Sequence, residues 1–166
     1  MKAAQEIKEY VSKLTSSDVL FCLITGGGSS LLPLPIEPIT LEEKSTLIKQ
    51  LSRAGATINE LNTVRISISQ LKGGKLAVLG KNAHKIISLV ISDIINDPLE
   101  LIASGPTFQF SKNSLESPQK ILEKFNLIST LPQSIAQVIK KNEEVPFLIK
   151  NSQIFLIGNN RDSIAG

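Results

Sequence analysis

Apolar positions along the chain form two patterns, short continuous runs and runs with helical spacing. Three continuous runs rich in Ile, Leu and Val predict buried strands at Val19–Ile24, Ile86–Ile91 and Gln153–Ile157. Between these runs, apolar residues recur three and four positions apart, as they do on one face of a helix. Strands that alternate with helices predict an α/β fold, here a three-layer, Rossmann-like and mostly parallel sheet with helices on both faces.

Two helix starts are marked by capping residues. Thr40 with Glu43, and Thr57 with Glu60, match the capping box, in which each side chain bonds the backbone N–H of the other residue. We expect the helix that begins after Thr57 to continue as far as Lys72, where two glycines follow and end it.

That second helix is predicted to carry a polar stripe beside its apolar face. The residues of the stripe follow one another at intervals of three or four positions, the spacing of one helix face. They are Asn62, Arg65, Ser69 and Lys72. Two cations on one stripe could hold an anion. An ordinary solvated helix boundary explains the same spacing, and the spacing alone favours this second interpretation.

A glycine-rich segment directly follows the first predicted strand. Gly26, Gly27 and Gly28 precede Ser29 and Ser30. Glycine tolerates positive φ and lets an anion approach backbone N–H groups closely, and a helix that starts there would add its own N–H groups. The segment lacks the lysine of a P-loop and the third glycine of the dinucleotide fingerprint. On these residues alone, a phosphate or carboxylate cradle and a turn without a ligand are equally supported.

Polar residues also follow the other two predicted strands. Ser92–Asp93 comes after the second strand and Gly158–Asn160 after the third. Because ligands of open α/β sheets bind beyond the carboxyl ends of the strands, Asp93 is a candidate to contact a metal ion or a substrate hydroxyl. An aspartate that caps the next turn is the alternative. Ser104–Thr107 is predicted to form a rigid loop with two hydroxyl groups.

Composition narrows the possible partners. The chain is 42% hydrophobic, and its net charge of +3 is scattered rather than gathered in a basic stripe with aromatic residues, so nucleic acid is not an expected partner. No apolar run reaches the roughly 20 residues that cross a bilayer, so a membrane is not expected either. The single cysteine, Cys22, is predicted to be a core residue of the first strand. A reducing compartment fits best, the cytoplasm first and the mitochondrion as the alternative.

Four segments, taken in series, resemble one family. They are TGGGSSLLPLP, GATINELNTVRISISQLKGGKLA, VISDIINDPLELIASGPT and IGNN, and they are similar to the catalytic domain of the two-domain glycerate 2-kinases with a C-terminal MOFRL-like domain. The resemblance implies transfer of the γ-phosphate of ATP to D-glycerate with Mg²⁺, and it is compatible with a homodimer. It also implies that residues 1–166 are part of the N-terminal α/β domain, without the family's upstream segment and C-terminal domain. A truncated, non-catalytic chain that binds nucleotide or glycerate, or a regulatory partner of the full-length kinase, is the alternative.

The resemblance further implies roles for individual residues. Arg65 and Lys72 would neutralise the glycerate carboxylate or the moving phosphoryl group, and Asp93 would bind Mg²⁺ or the acceptor hydroxyl. The residues implied in substrate or phosphate binding are Gly26, Gly27, Gly28, Ser29, Ser30, Asn62, Gly73, Gly74, Ser104, Gly105, Thr107 and Asn160. The chain departs from the family at Ile66, where a basic residue is usual, and at Asn96, where glycine is common. Asparagine tolerates the left-handed conformation that a glycine there would adopt.

Overall fold

The computed structural model describes residues 1–110, 116–141 and 149–159, which form two compact units. The described part of unit 1 comprises residues 1–33, 71–110 and 149–159, and that of unit 2 comprises residues 34–70 and 116–141.

In chain order, the α-helices are α1 (Lys2–Ser12), α2 (Gly28–Leu31), α3 (Leu41–Arg53), α4 (Ile58–Ser67), α5 (Lys75–Leu79), α6 (Pro118–Lys124) and α7 (Gln133–Lys141). Among the described residues, no helix is long and apolar enough to cross a membrane.

The described part of unit 1 is built on a parallel sheet with the strand order β1-β2-β3. The strands are β1 (Val19–Ile24), β2 (Lys85–Ile91) and β3 (Ser152–Gly158). All pair in parallel, so their carboxyl ends lie at the same edge of the sheet. The apolar runs therefore predicted the strands to within one residue at either end, and the α/β class with a parallel sheet is confirmed.

One face of the sheet packs against α5 and the segment that follows α1. The apolar cluster on this face consists of Leu14, Leu20, Cys22, Ala77, Val78, Ala83, Ile86 and Ile149. Burial raises the pKa of the Cys22 thiol, which agrees with the predicted core role of this residue. Because side chains alternate along a strand, Phe21 and Leu23 point to the opposite face, where both are exposed.

The described part of unit 2 is helical and packs α3, α4, α6 and α7 around a second apolar cluster. Its buried members are Ile39, Leu47, Leu51, Leu61, Val64, Ile68, Ile121, Leu122, Ile135 and Ile139. Both predicted capping boxes are present. The hydroxyl of Thr40 accepts a hydrogen bond from the Glu43 N–H at 3.1 Å, and the Glu43 carboxylate accepts one from the Thr40 N–H at 2.7 Å. Residues 54–57 connect α3 to α4, and Gly55 in this connection has a φ of 86°.

Helix α4 is shorter than the sequence pattern predicts. It ends at Ser67 rather than at Lys72, and Ser69 instead forms an isolated antiparallel bridge. The prediction of one polar stripe is therefore wrong, because Asn62 and Arg65 lie on the helix whereas Ser69 and Lys72 lie beyond its end. Lys72 in fact belongs to unit 1, while Asn62 and Arg65 belong to unit 2.

An ion pair joins α4 to α6 within unit 2. The ammonium group of Lys124 lies 2.5 Å from the Glu60 carboxylate. The same carboxylate accepts hydrogen bonds from the Thr57 N–H at 2.7 Å and from the Thr57 hydroxyl at 2.9 Å. The hydrogen bond from Lys124 and those from Thr57 lower the pKa of Glu60 to about 2. The ionised carboxylate is therefore strongly preferred in the folded protein.

We expect protonation of Glu60 to destabilise the protein at acidic pH. The pKa of this carboxyl is about 2 in the folded protein and has the ordinary value of 4.5 in the unfolded chain. The contribution of the carboxylate to the free energy of unfolding is therefore complete above pH 4.5 and is lost as the pH falls through 2. Urea unfolding at several pH values measures this effect. In Glu60→Gln, which keeps a cap acceptor without the charge, the unfolding midpoint should change less over this range. Equal pH dependence in both proteins would contradict the expectation.

Candidate active site

The carboxyl ends of the described strands bring three polar segments together at one edge of unit 1. Strand β1 leads into the glycine loop, defined as Gly26–Ser30, β2 leads into Ser92–Asp93, and β3 leads into Asn159. The side-chain amide of Asn159 donates to the Asp97 carboxylate at 3.0 Å, so the segments after β2 and β3 touch. The parallel sheet that the sequence predicts therefore places these three strand ends at one edge.

The carboxylate of Asp93 lies directly against Gly26. A Cβ placed on Gly26 would overlap the Asp93 carboxylate, and even the more distant oxygen, Oδ1, would be only 2.6 Å away. No residue with a side chain fits there unless Asp93 moves. The glycine loop after β1 and the aspartate after β2 therefore form one continuous surface.

The glycine loop contains backbone N–H groups that are not used by hydrogen bonds within the turn. Gly27 has a φ of 75°, and the amides of Gly28 and Ser30 bond back to carbonyl groups within the turn. Among the described residues, the amides of Gly26, Gly27 and Ser29 have no such acceptor. Neighbouring amides in a turn of this kind make a concave binding place for anions.

Lys72 ties the glycine loop to the neighbouring loop around Ala103. Its side chain is 1% exposed, and Nζ donates to the Ser29 carbonyl at 2.8 Å and to the Ala103 carbonyl at 3.3 Å. The Ser29 hydroxyl lies 3.3 Å from the same ammonium group and 2.7 Å from the Ser104 hydroxyl. Backbone and hydroxyl oxygens from both loops thus surround the buried charge.

The backbone next to Lys72 is left-handed at three consecutive positions. Ala103, Ser104 and Gly105 have φ values of 52°, 61° and 55°, and the first two carry side chains that disfavour this region. The amides of Gly73 and Gly74 donate to the carbonyls of Ser104 and Gly105 at 3.0 and 2.7 Å. Strained backbone of this kind persists only where its surroundings fix it, and it concentrates at functional sites.

The remaining residues to which the family resemblance draws attention lie in different surroundings. Thr107 is 1% exposed and accepts a hydrogen bond from the Ser88 hydroxyl of β2 at 2.7 Å, which anchors its loop to the sheet. Asn96 has a φ of 66°, the conformation expected of an asparagine in place of a glycine. Asn160 lies outside the described residues. Within the described residues, Asp93 is not part of a group of three His, Cys, Asp or Glu side chains that could hold a metal ion.

Asn62 and Arg65 meet in unit 2. The Arg65 guanidinium donates to the Asn62 side-chain carbonyl at 3.1 Å, and partial burial lowers the pKa of Arg65. Their neighbour Lys44 was not predicted from the sequence. It is 8% exposed, and its pKa is lowered first by burial and then by the charge of Arg65. The signal that could have found Lys44 is its spacing of three and seven from the buried Leu47 and Leu51.

Residues 1–140 match the family described as "Domain of unknown function (DUF4147)". The chain belongs to this family. Glycerate kinase of Rattus norvegicus is 49% identical over 146 residues, which are 88% of this DUF4147 chain and 28% of the relative. D-glycerate 2-kinase of Thermotoga maritima is 40% identical over 159 residues, 96% of this chain and 37% of the relative. A crystal structure of glycerate kinase from Thermotoga maritima has a TM-score of 0.86 at 39% identity, over 96% of this chain and 37% of that chain. The chain thus spans between 28% and 37% of the length of these relatives.

We expect Lys72→Met to destabilise unit 1 and to loosen the glycine loop. The substitution leaves the carbonyls of Ser29 and Ala103 without their buried donor, which costs about 1–3 kcal/mol. Urea unfolding measures the loss, and amide hydrogen exchange of the glycine loop reports the loosening. Lys81→Met, at an exposed lysine, is the matched control and should stay within about 0.5 kcal/mol of the unsubstituted protein. Similar losses in both variants would contradict the role given to Lys72.

Proposed function

We propose that the protein is part of a glycerate kinase, which transfers the γ-phosphate of ATP to D-glycerate to give 2-phosphoglycerate and ADP. One observation carries the proposal: the glycine loop, Lys72, Asp93 and Ser104 converge at the carboxyl edge of the parallel sheet. This edge is where ligands bind in open α/β sheets. The names of the relatives, glycerate kinase and D-glycerate 2-kinase, supply the substrate.

The glycine loop is proposed to bind phosphate oxygens of ATP. Phosphoryl transfer depends mainly on positioning and on neutralising charge, and the loop amides can do both. Lys72 contributes in two ways, because its ammonium group fixes the loop through the Ser29 carbonyl and adds positive charge directly beside it. The role that the resemblance implies for Lys72 is therefore compatible with its burial.

Asp93 is proposed to contact the Mg²⁺ that accompanies ATP or to hold the acceptor hydroxyl of glycerate. Mg²⁺ prefers oxygen ligands and usually takes one or two carboxylates together with waters and substrate phosphates, so a single carboxylate beside a phosphate-binding loop suits it. The close contact between Asp93 and Gly26 keeps this carboxylate beside the glycine loop.

Arg65 is proposed to neutralise the glycerate carboxylate or the moving phosphoryl group, as the resemblance implies. Its planar guanidinium suits a two-point grip on either group. Asn62 occupies one donor of the guanidinium, and among the described residues the other donors have no hydrogen-bond partner.

A second candidate function is binding of nucleotide or glycerate without catalysis, either alone or beside a full-length kinase. The observation that favours it is that the glycine loop and Lys72, which would bind phosphate, contact each other within unit 1. Under this alternative the glycine loop still binds phosphate, and the reaction itself is absent.

We expect the purified chain to bind ATP in the presence of Mg²⁺ and to show little or no turnover of D-glycerate alone. Titration calorimetry measures the binding, and a coupled assay for ADP measures the turnover. Asp93→Asn should weaken ATP binding at least tenfold with Mg²⁺ and much less with a chelator, while Asp18→Asn, in an exposed turn, serves as control. Absence of ATP binding would refute the phosphate site, and robust turnover would refute the expected inactivity.

In a full-length relative, replacing the arginine that matches Arg65 by alanine should lower kcat/KM for D-glycerate at least tenfold. The guanidinium would no longer offset negative charge on the substrate or on the transferred group. Steady-state kinetics with ATP and D-glycerate measure the effect, with a lysine matching the exposed Lys49 changed to alanine as the control. An unchanged rate would remove Arg65 from the mechanism.

A further inference from the structure

Helices α3 and α4 form a hairpin with two cations at one end. The short connection of residues 54–57 joins the end of α3 to the start of α4, so the first turns of α3 and the last turn of α4 lie at the same end of the pair. Lys44 lies at this end of α3 and Arg65 at this end of α4. The shared apolar cluster of unit 2 fixes how the two helices pack.

Lys44 is an unusual residue for its position. It is 8% exposed and lies on the face of α3 that also buries Leu47 and Leu51. Lysine is almost never this buried unless its charge is paired. Among the described residues, however, the ammonium group of Lys44 makes neither a hydrogen bond nor an ion pair.

The charge beside Lys44 has the same sign. Burial lowers the pKa of Arg65, and burial together with the charge of Arg65 lowers the pKa of Lys44. Arg65 commits one guanidinium N–H to Asn62 out of the five that it can donate. Two partly desolvated cations side by side are unfavourable unless an anion joins them.

The neighbouring acidic side chains do not supply this anion. Glu43 caps α3 and accepts a hydrogen bond from the Ser134 hydroxyl at 2.8 Å. Glu60 is paired with Lys124, and Glu42 is exposed. These three glutamates are thus bound elsewhere or face solvent, and among the described residues none of them pairs with Lys44 or Arg65.

We propose that Lys44 and Arg65, with Asn62 orienting the guanidinium, form a binding site for an oxyanion, the carboxylate or phosphoryl group of a small ligand. The oxyanion accepts one hydrogen bond from the Lys44 ammonium group and two from the planar guanidinium of Arg65. The inference rests on the proposed function in one respect: there Arg65 neutralises glycerate or the transferred phosphoryl group, and Lys44 becomes the second cation on that same anion.

Oxyanion binding can be tested without catalysis. The full chain is titrated with inorganic phosphate and separately with D-glycerate, while NMR follows the side-chain Nε–H signal of Arg65. We expect a saturable shift with at least one of them, weakened at least tenfold in Lys44→Met and largely kept in Lys44→Arg. Lys49→Met, at an exposed lysine of the same helix, should bind as the unsubstituted protein does. A response to phosphate alone identifies a phosphoryl site, and a response to glycerate alone identifies a carboxylate site.

Two results would overturn the inference: no saturable shift with either compound, or equal affinity in Lys44→Met and the unsubstituted protein. A stability measurement separates binding from a structural role. Without added anion, Lys44→Met should raise the urea midpoint, because it removes a buried charge that faces a like charge. A structural role for Lys44 predicts a lower midpoint instead, which would also overturn the inference.

The same experiments separate this inference from the proposed function. If the proposed function fails, the purified chain does not bind ATP with Mg²⁺, while binding of phosphate or D-glycerate at Lys44 and Arg65 persists. If the inference fails, turnover in the full-length relative is intact and Lys44→Met binds the oxyanion as well as the unsubstituted protein does.

Discussion

One buried ammonium group holds the loops at the carboxyl edge of unit 1. Lys72 donates to backbone oxygens of Ser29 and Ala103, and a buried lysine is tolerated only because such acceptors replace its water. Removing the group would take away these two contacts between two tight turns, one of which is left-handed at three residues in a row. The short helix α2 has only four residues, and its Ser29 carbonyl accepts one of these hydrogen bonds. The geometry of the proposed phosphate site thus depends on a side chain that need not touch the phosphate.

Much of the fold was predictable because its signals are local. Strand β1 is a continuous apolar run, and α3 and α4 begin at capping boxes that need only residues three apart. The end of α4 was not predictable in this way. Two glycines after Lys72 suggest a helix end, but the helix stops at Ser67 because the following residues pair with a distant segment, as in the bridge of Ser69 to Pro35. Contacts between residues far apart in sequence leave no periodic trace.

The segments that form the candidate site could be predicted from the sequence, whereas the contacts between these segments could not. The glycine loop and Asp93 could be identified because polar residues directly follow apolar runs there. The carboxyl ends of parallel strands share an edge, where ligands bind. The partners of Lys72 are backbone carbonyls, which every residue has, so no pattern of residue types reveals them. Lys44 was missed because its spacing along α3 is that of an ordinary apolar face, and its burial follows from how α3 packs.

The contact between Asp93 and Gly26 also limits how the two positions can diverge. A methyl group at residue 26 would occupy the space of the carboxylate, so alanine there is tolerated only after residue 93 has become smaller or has moved. If residue 26 changes to alanine first, its methyl group clashes with the Asp93 carboxylate. If residue 93 becomes smaller first, no clash arises. In related sequences, residues 26 and 93 should therefore vary together, although they are distant in the chain and belong to different segments. Such epistasis would keep both positions unchanged for as long as the carboxylate is needed.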